Sequence, residues 1–212
     1  MQNSEADREV IATLKSGSEE AFADFFFSHQ ERLLRIVKFR LDFRLGGRIS
    51  ASDVLQESYV RAAARLAGYL ENPDFPPFVW LRMQVNQQIT DLHRKHLGAE
   101  KRDARREYNL NGNAQAGPMD PTSMALAAHL VAQQTSPSRV VQRYEEIAAL
   151  EASLNTINAV DREVIALRHF EELSSQETAQ VLGIEPAAAS KRYVRALQRL
   201  KEIMNQHGFA RE

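Results

Sequence analysis

SSQETAQVLGIEPAAASKRYVRALQRLKEIM, residues 174–204, decides how the rest of the chain is read. Ser174 followed by Glu177 is a capping box, in which each side chain takes up an N–H left open at the start of a helix. Gly183 ends that short helix, because glycine enters positive φ without a Cβ clash. Pro186 falls in the first turn of the next helix, where the missing N–H is not needed. Ala179 is small enough for two helices to cross closely, and Leu182 and Ile184 flank the turn as core residues. The second helix turns Ala189, Tyr193 and Leu197 or Leu200 inward. It turns Ser190, Lys191, Arg192, Arg195 and Arg199 outward. This spacing predicts a helix–turn–helix whose second helix can enter a major groove, its arginines on guanine or phosphate. The plainer alternative is a helical hairpin with a solvated basic face.

Charge favours the first reading. Residues 143–185 hold nine acidic and three basic side chains, whereas residues 186–201 hold five basic and no acidic ones. A basic stripe confined to one helix is a local footprint for phosphate. The whole chain carries a formal charge of only −1, which argues against coating DNA by bulk charge. Its 212 residues, 43% hydrophobic and 26% charged, suffice for two small globular domains. There is no cysteine, so disulfides, thiolate metal sites and thiol nucleophiles are excluded. No apolar run reaches the roughly 18 residues of a membrane span, and Met1–Lys15 lacks the apolar centre of a signal peptide. The expectation is a soluble, cytoplasmic protein.

Helical periodicity continues outward from this motif. Asp161 is placed to cap a helix over Arg162–Phe170, and another covers Arg139–Ile157. Asn109–Ser138 concentrates Asn, Gly and Pro and reads as a linker, with room for a short helix at Ser123–Gln134. Before it, a long helix starts near Phe78 and reaches about Tyr108. Phe78, Leu81, Val85, Ile89 and Leu92 form its core face, and Trp80, Gln84, Gln87, Asp91 and Arg94 lie mainly on the other side. Gly68 and Asn72-Pro73-Asp74-Phe75-Pro76-Pro77 read as a loop. Ser52–Ala67 is a helix with Val54, Leu55, Tyr59, Ala62, Ala63 and Leu66 on one side. Ser18, with Glu19 and Glu20 behind it, can cap a first helix carrying Phe22, Phe25, Phe26, Leu33, Ile36 and Val37, which Gly46 and Gly47 end. The expected fold is all-α, with domains at 1–108 and 139–212 joined by the linker 109–138.

Asp161-Arg162-Glu163-Val164-Ile165-Ala166-Leu167-Arg168, then Leu173-Ser174-Ser175-Gln176-Glu177-Thr178-Ala179 and Leu182-Gly183-Ile184, closely resemble the fourth conserved region of bacterial sigma factors. Lys191 to Leu200 looks like that region's recognition helix. Asp53-Val54-Leu55-Gln56-Glu57-Ser58-Tyr59-Val60-Arg61-Ala62 resembles the second region's helix that docks on polymerase, and Trp80 to Arg94 resembles its promoter-opening part. No segment resembles the third region of larger sigma factors, which places the likeness in the extracytoplasmic-function group. Ala51-Ser52 depart from the more acidic family pattern, and Ala187-Ala188-Ala189 offer little side chain for reading bases.

The resemblance implies a sigma factor that binds core RNA polymerase, through the clamp helices and flap of its large subunits, and directs initiation at chosen promoters. It implies docking by Asp53, Gln56, Glu57 and Arg61, which share one polar helix face. Minus-ten DNA falls to Asn72, Phe75, Trp80, Asn86, Gln87, Asp91, Arg94 and Lys95, with Lys101 and Arg102 near the phosphates. For Trp80 a core position is the other reading. Minus-thirty-five DNA falls to Ser175, Ser190, Lys191, Arg192, Arg195 and Arg199. An anti-sigma factor is implied by resemblance alone.

No catalytic or metal pattern competes. His93 and His96 lack a completing carboxylate, and Asp91 and Asp103 stand too far apart on one helix for a catalytic pair. No glycine-rich phosphate loop or nucleophile elbow is present, so neither enzyme activity nor a cofactor is expected. The rivals are a sigma mimic that titrates an anti-sigma factor and a stand-alone helix–turn–helix regulator.

Overall fold

The computed structural model describes residues 4–17, 19–45, 47–108, 121–132 and 140–207. Expectations resting on Ser18, on Gly46 and on most of 109–138 lie outside these residues, as do those on the side chains of Glu19, Lys101 and Arg102. Regular structure among the described residues is all helical. The elements are α1 (Glu5–Lys15), α2 (Glu19–Ser28), α3 (Gln30–Arg40), a 3-10 turn (Phe43–Leu45), α4 (Ala51–Glu71), α5 (Pro77–Tyr108), α6 (Pro121–Ala132), α7 (Val140–Leu154), α8 (Ala159–Ile165), a π turn (Ala166–Phe170), α9 (Ser175–Leu182) and α10 (Pro186–Gln206). No helix among them is long and apolar enough to cross a membrane. The chain divides into two compact units, one of Met1–Leu41 with Leu45–Arg102, the other of Asp42–Arg44 with Asp103–Glu212.

The first unit contains α1 to α4 and most of α5. Phe78, Val79, Trp80, Leu81, Arg82, Gln84 and Val85 are all buried, so the opening turns of α5 are enclosed nearly all round. A helix surrounded on every side does not show the one-sided stripe that periodicity detects. Trp80 and Gln84, expected on the outer side, are therefore inside, while Met83 between them is exposed. Tyr69 of α4 stacks on Trp80 at 4.4 Å between ring centroids. The Tyr69 hydroxyl donates to the Phe75 carbonyl at 2.7 Å and ties the Asn72–Pro76 loop to α4. Burial pushes the Tyr69 phenol well above its ordinary range, so it stays a donor.

Several local features depart from the sequence reading, among them the start of α8, which is capped by Asn158 and not by Asp161. α1 is an added helix, started by Ser4 and Asp7 as a capping box. The run expected as one helix from Ser18 breaks at His29, whose Nδ1 lies 2.9 Å from the Phe25 carbonyl oxygen at the end of α2. Gly68 lies inside α4, exposed and with nothing within 4 Å of its Cβ position. A glycine there weakens the helix by only about 1 kcal/mol, which does not end it.

The second unit is a helical bundle around α7, α8 and α10. Leu150, Leu154, Val164, Ile165 and Leu167 are fully buried. Arg162, itself buried, donates to the Leu154 and Ile157 carbonyls and so closes the C-terminal end of α7. α6, inside the stretch read as a linker, packs along α7, and its Leu126, Ala127 and Val131 are fully buried. Its Thr122 hydroxyl donates to Glu163 at 2.9 Å.

Candidate nucleic-acid and protein interfaces

The helix–turn–helix forms as its sequence dictates. The Ser174 N–H donates to Glu177 at 2.7 Å and the Glu177 N–H to the Ser174 hydroxyl at 3.1 Å. Gly183 adopts φ 64°, and Pro186 opens α10. Ala179, Ala189, Ala196 and Leu200 are buried, which seats α9 across α10 and leaves the opposite side of α10 in solvent.

The five outward residues expected on α10 do not all behave alike. Lys191 and Arg195 are exposed and bonded to no protein partner among the described residues. Arg192 instead pairs with Asp161 of α8 at 2.9 Å and is half-buried. Arg199 is exposed but reaches Glu202 at 3.2 Å. Ser190 sits 3.1 Å from Ser175 at the start of α9 and also donates to the Pro186 carbonyl. Ser175, expected to meet DNA, is thus tied to α10. The Arg192–Asp161 pair ties α10 to α8. Val194, which the sequence reading passed over, is 56% exposed between Lys191 and Arg195. Its signal was available: an apolar residue at an outward position of an otherwise charged helix face.

The first unit presents a different kind of surface. Asp53, Gln56 and Val60 point to solvent from α4. Glu57 and Arg61, expected on the same docking face, reach α5. Glu57 accepts from Gln88, and Arg61 pairs with Asp91 at 2.7 Å. Arg65 adds a third link, donating to Gln84 at 3.0 Å. Asp91 also accepts from Gln87 at 3.1 Å and from Arg94 at 3.0 Å. The hydrogen bond from Arg61 is the strongest influence on Asp91 and holds its carboxyl below the usual carboxylate range.

The remaining minus-ten candidates are scattered in role. Asn72 donates to Asp74 at 3.0 Å, and Phe75 is half-buried with its carbonyl held by Tyr69. With its amide oxygen turned toward Arg82, Asn86 accepts from that guanidinium at 3.0 and 3.2 Å. Lys95 and Arg94 are exposed. Trp80, 7% exposed and covered by Tyr69, has no open ring face for a base; the aromatic ring that made it a candidate is used in the core. No group of three or more His, Cys, Asp and Glu side chains placed to hold a metal occurs among the described residues.

Comparison with known proteins gives these surfaces a context. Residues 147–200 match the family model described as Sigma-70, region 4. The RNA polymerase sigma factor CnrH of Cupriavidus metallidurans is 27% identical over 206 residues, covering 97% of this chain and 97% of CnrH. The ECF RNA polymerase sigma factor SigW of Bacillus subtilis is 23% identical over 193 residues, covering 91% of this chain and 93% of SigW. The solved structure of CnrH in complex with the cytosolic domain of CnrY shares the fold, with a TM-score of 0.53 at 21% identity over 95% of this chain and 99% of that one.

Proposed function

The chain belongs to the extracytoplasmic-function group of RNA polymerase sigma factors, and from that premise we propose how its two units divide the work of initiation. It binds core RNA polymerase and directs transcription from particular promoters. The second unit reads the minus-thirty-five duplex with α10, through Lys191 and Arg195. Arg199 adds a flanking phosphate contact, and Ser175 and Ser190 set the angle between α9 and α10. The first unit docks on the polymerase clamp through Asp53, Gln56 and Glu57. The face formed by Asn86, Gln87, Arg94 and Lys95, with the loop at Asn72 and Phe75, takes the separated minus-ten strand.

The observation that carries this reading is the capped helix–turn–helix whose exposed Lys191 and Arg195 have no partner of their own among the described residues. Strand separation needs no hydrolysis by this chain, since binding energy from the single strand and polymerase drives it. Two weak sites on one chain gain avidity once polymerase holds both. The site of action is the cytoplasm, where core polymerase and promoter meet, and an anti-sigma factor is the expected negative partner.

Run-off transcription with core polymerase on a genomic library tests the reading. The expected result is a small set of new start sites that core enzyme alone does not use. A chain that neither associates with core polymerase nor changes where transcripts begin overturns it.

A further inference from the structure

Arg61 stands on the helix that docks on polymerase, yet its guanidinium is turned to α5. It meets Asp91 at 2.7 Å, and both side chains are about a quarter exposed. The same carboxylate is reached by Arg94 at 3.0 Å, and Arg94 is 79% exposed. One carboxylate therefore stands between two cations of unequal freedom. Arg94 is open to solvent and to a nucleic-acid phosphate. Arg61 is more shielded, its guanidinium held on Asp91.

We propose that Arg61 is a positioning residue for the strand-binding face of α5 and not a polymerase contact. Its task is to neutralise Asp91. With Arg61 in place, Asp91 needs little from Arg94, whose guanidinium can exchange the carboxylate for a phosphate. Without Arg61, Asp91 becomes an uncompensated negative charge within reach of Arg94. It then grips Arg94 and repels the phosphate that Arg94 would bind. Arg61 thus shapes the DNA affinity of a face it does not touch, and its effect passes entirely through Asp91. The link from α4 to α5 is side chain to side chain, and Glu57–Gln88 and Arg65–Gln84 support the same register.

This inference rests on the proposed binding of the minus-ten strand by α5, so the test separates the two. The full chain is reconstituted with core polymerase. Affinity for core is measured by fluorescence titration. Strand affinity is measured by anisotropy, using a labelled single-stranded DNA of about twelve nucleotides and mixed sequence. Arg61→Ala is expected to weaken strand binding about threefold to tenfold, while core affinity stays within about twofold. Asp91→Asn alone is expected to tighten strand binding and steepen its salt dependence, because Arg94 loses its internal competitor. The double variant is expected to return to within about twofold of Asp91→Asn, which a merely structural role of Arg61 would not produce. Loss of core affinity in Arg61→Ala, or no recovery in the double variant, overturns the proposal. If the unaltered holoenzyme binds no single strand, the assignment of the α5 face fails first and the proposal falls with it. Asp91→Asn keeps the test informative if Arg61→Ala does not fold.

Discussion

The α10 face and the α4–α5 face are both polar and both rich in arginine, but they spend their side chains differently. On α10, Lys191 and Arg195 stand clear of the protein, while Arg192, Ser190 and Arg199 bond internally, the first two bracing the helix from its flanks. On α4 and α5 many polar groups have an internal partner, Arg61 and Arg94 with Asp91, Glu57 with Gln88, Arg65 with Gln84 and Asn86 with Arg82, while Asp53, Gln56 and Lys95 face solvent. The difference suits the two ligands proposed for these faces. A duplex groove is rigid and rewards cations already set at the right spacing. A single strand has no fixed shape, and a surface that captures it gains selectivity by making each contact replace an internal one. Polar groups paired at home also keep the protein alone from binding nucleic acid of every sequence.

The contrast is broken most directly on α10. Lys191→Ala with Arg195→Ala should lower minus-thirty-five duplex binding by the holoenzyme by about thirtyfold or more, since each such contact is worth about 1–3 kcal/mol. Affinity for core polymerase should not change. Arg192→Ala should weaken duplex binding much less, because its partner is Asp161. Promoter titrations of the two variants side by side decide it; an equal loss would return Arg192 to the DNA interface. In the first unit, Tyr69→Phe removes the hydroxyl that holds the Phe75 carbonyl and should lower the stability of that unit by about 1–2 kcal/mol in urea unfolding. The Asn72–Pro76 loop should then exchange its amide hydrogens faster, and strand binding should fall with it. Ser174→Ala should cost about 1 kcal/mol of the second unit's stability, seen as a lower urea midpoint with duplex specificity intact.

These variants follow the line between what the sequence made legible and what it did not. The capping box at Ser174, the glycine turn at Gly183 and Pro186 at the head of α10 were readable because each is settled within a few residues. The inward faces of α10 and of α5 at Phe78, Leu81, Val85 and Ile89 were readable because helical period and burial agree there. Trp80 and Gln84 were not, because α5 is covered on more than one side and period alone cannot report a second cover. The partners of Arg61 and Arg192 were hidden for another reason. Asp91 lies 30 residues beyond Arg61, and Asp161 lies 31 before Arg192, so no local pattern ties either pair. A sequence shows which side chains could leave the surface of a helix, but it does not show which distant carboxylate turns them back.

The smallest expected effect is also the most direct reading of that hidden pairing. Hydrogen bonds from Arg61 above all, and then from Gln87, hold the Asp91 carboxyl below its ordinary value of 3.8. A carboxyl lowered in this way contributes stability above its unfolded value, and the contribution is lost as pH falls through the depressed folded midpoint. Titration of the Asp91 carboxyl carbon by NMR should therefore show a midpoint under 3.8 in the unaltered protein. Arg61→Ala should move it upward toward 3.8, and Gln87→Ala should move it less. If Arg61→Ala leaves the midpoint in place, Asp91 does not depend on Arg61 in solution, and α4 has no electrostatic hold on the strand-binding face. If the midpoint rises, Lys191 and Arg195 on α10 differ from Arg94 on α5 for one physical reason: only Arg94 has a carboxylate to give up before it can take a phosphate.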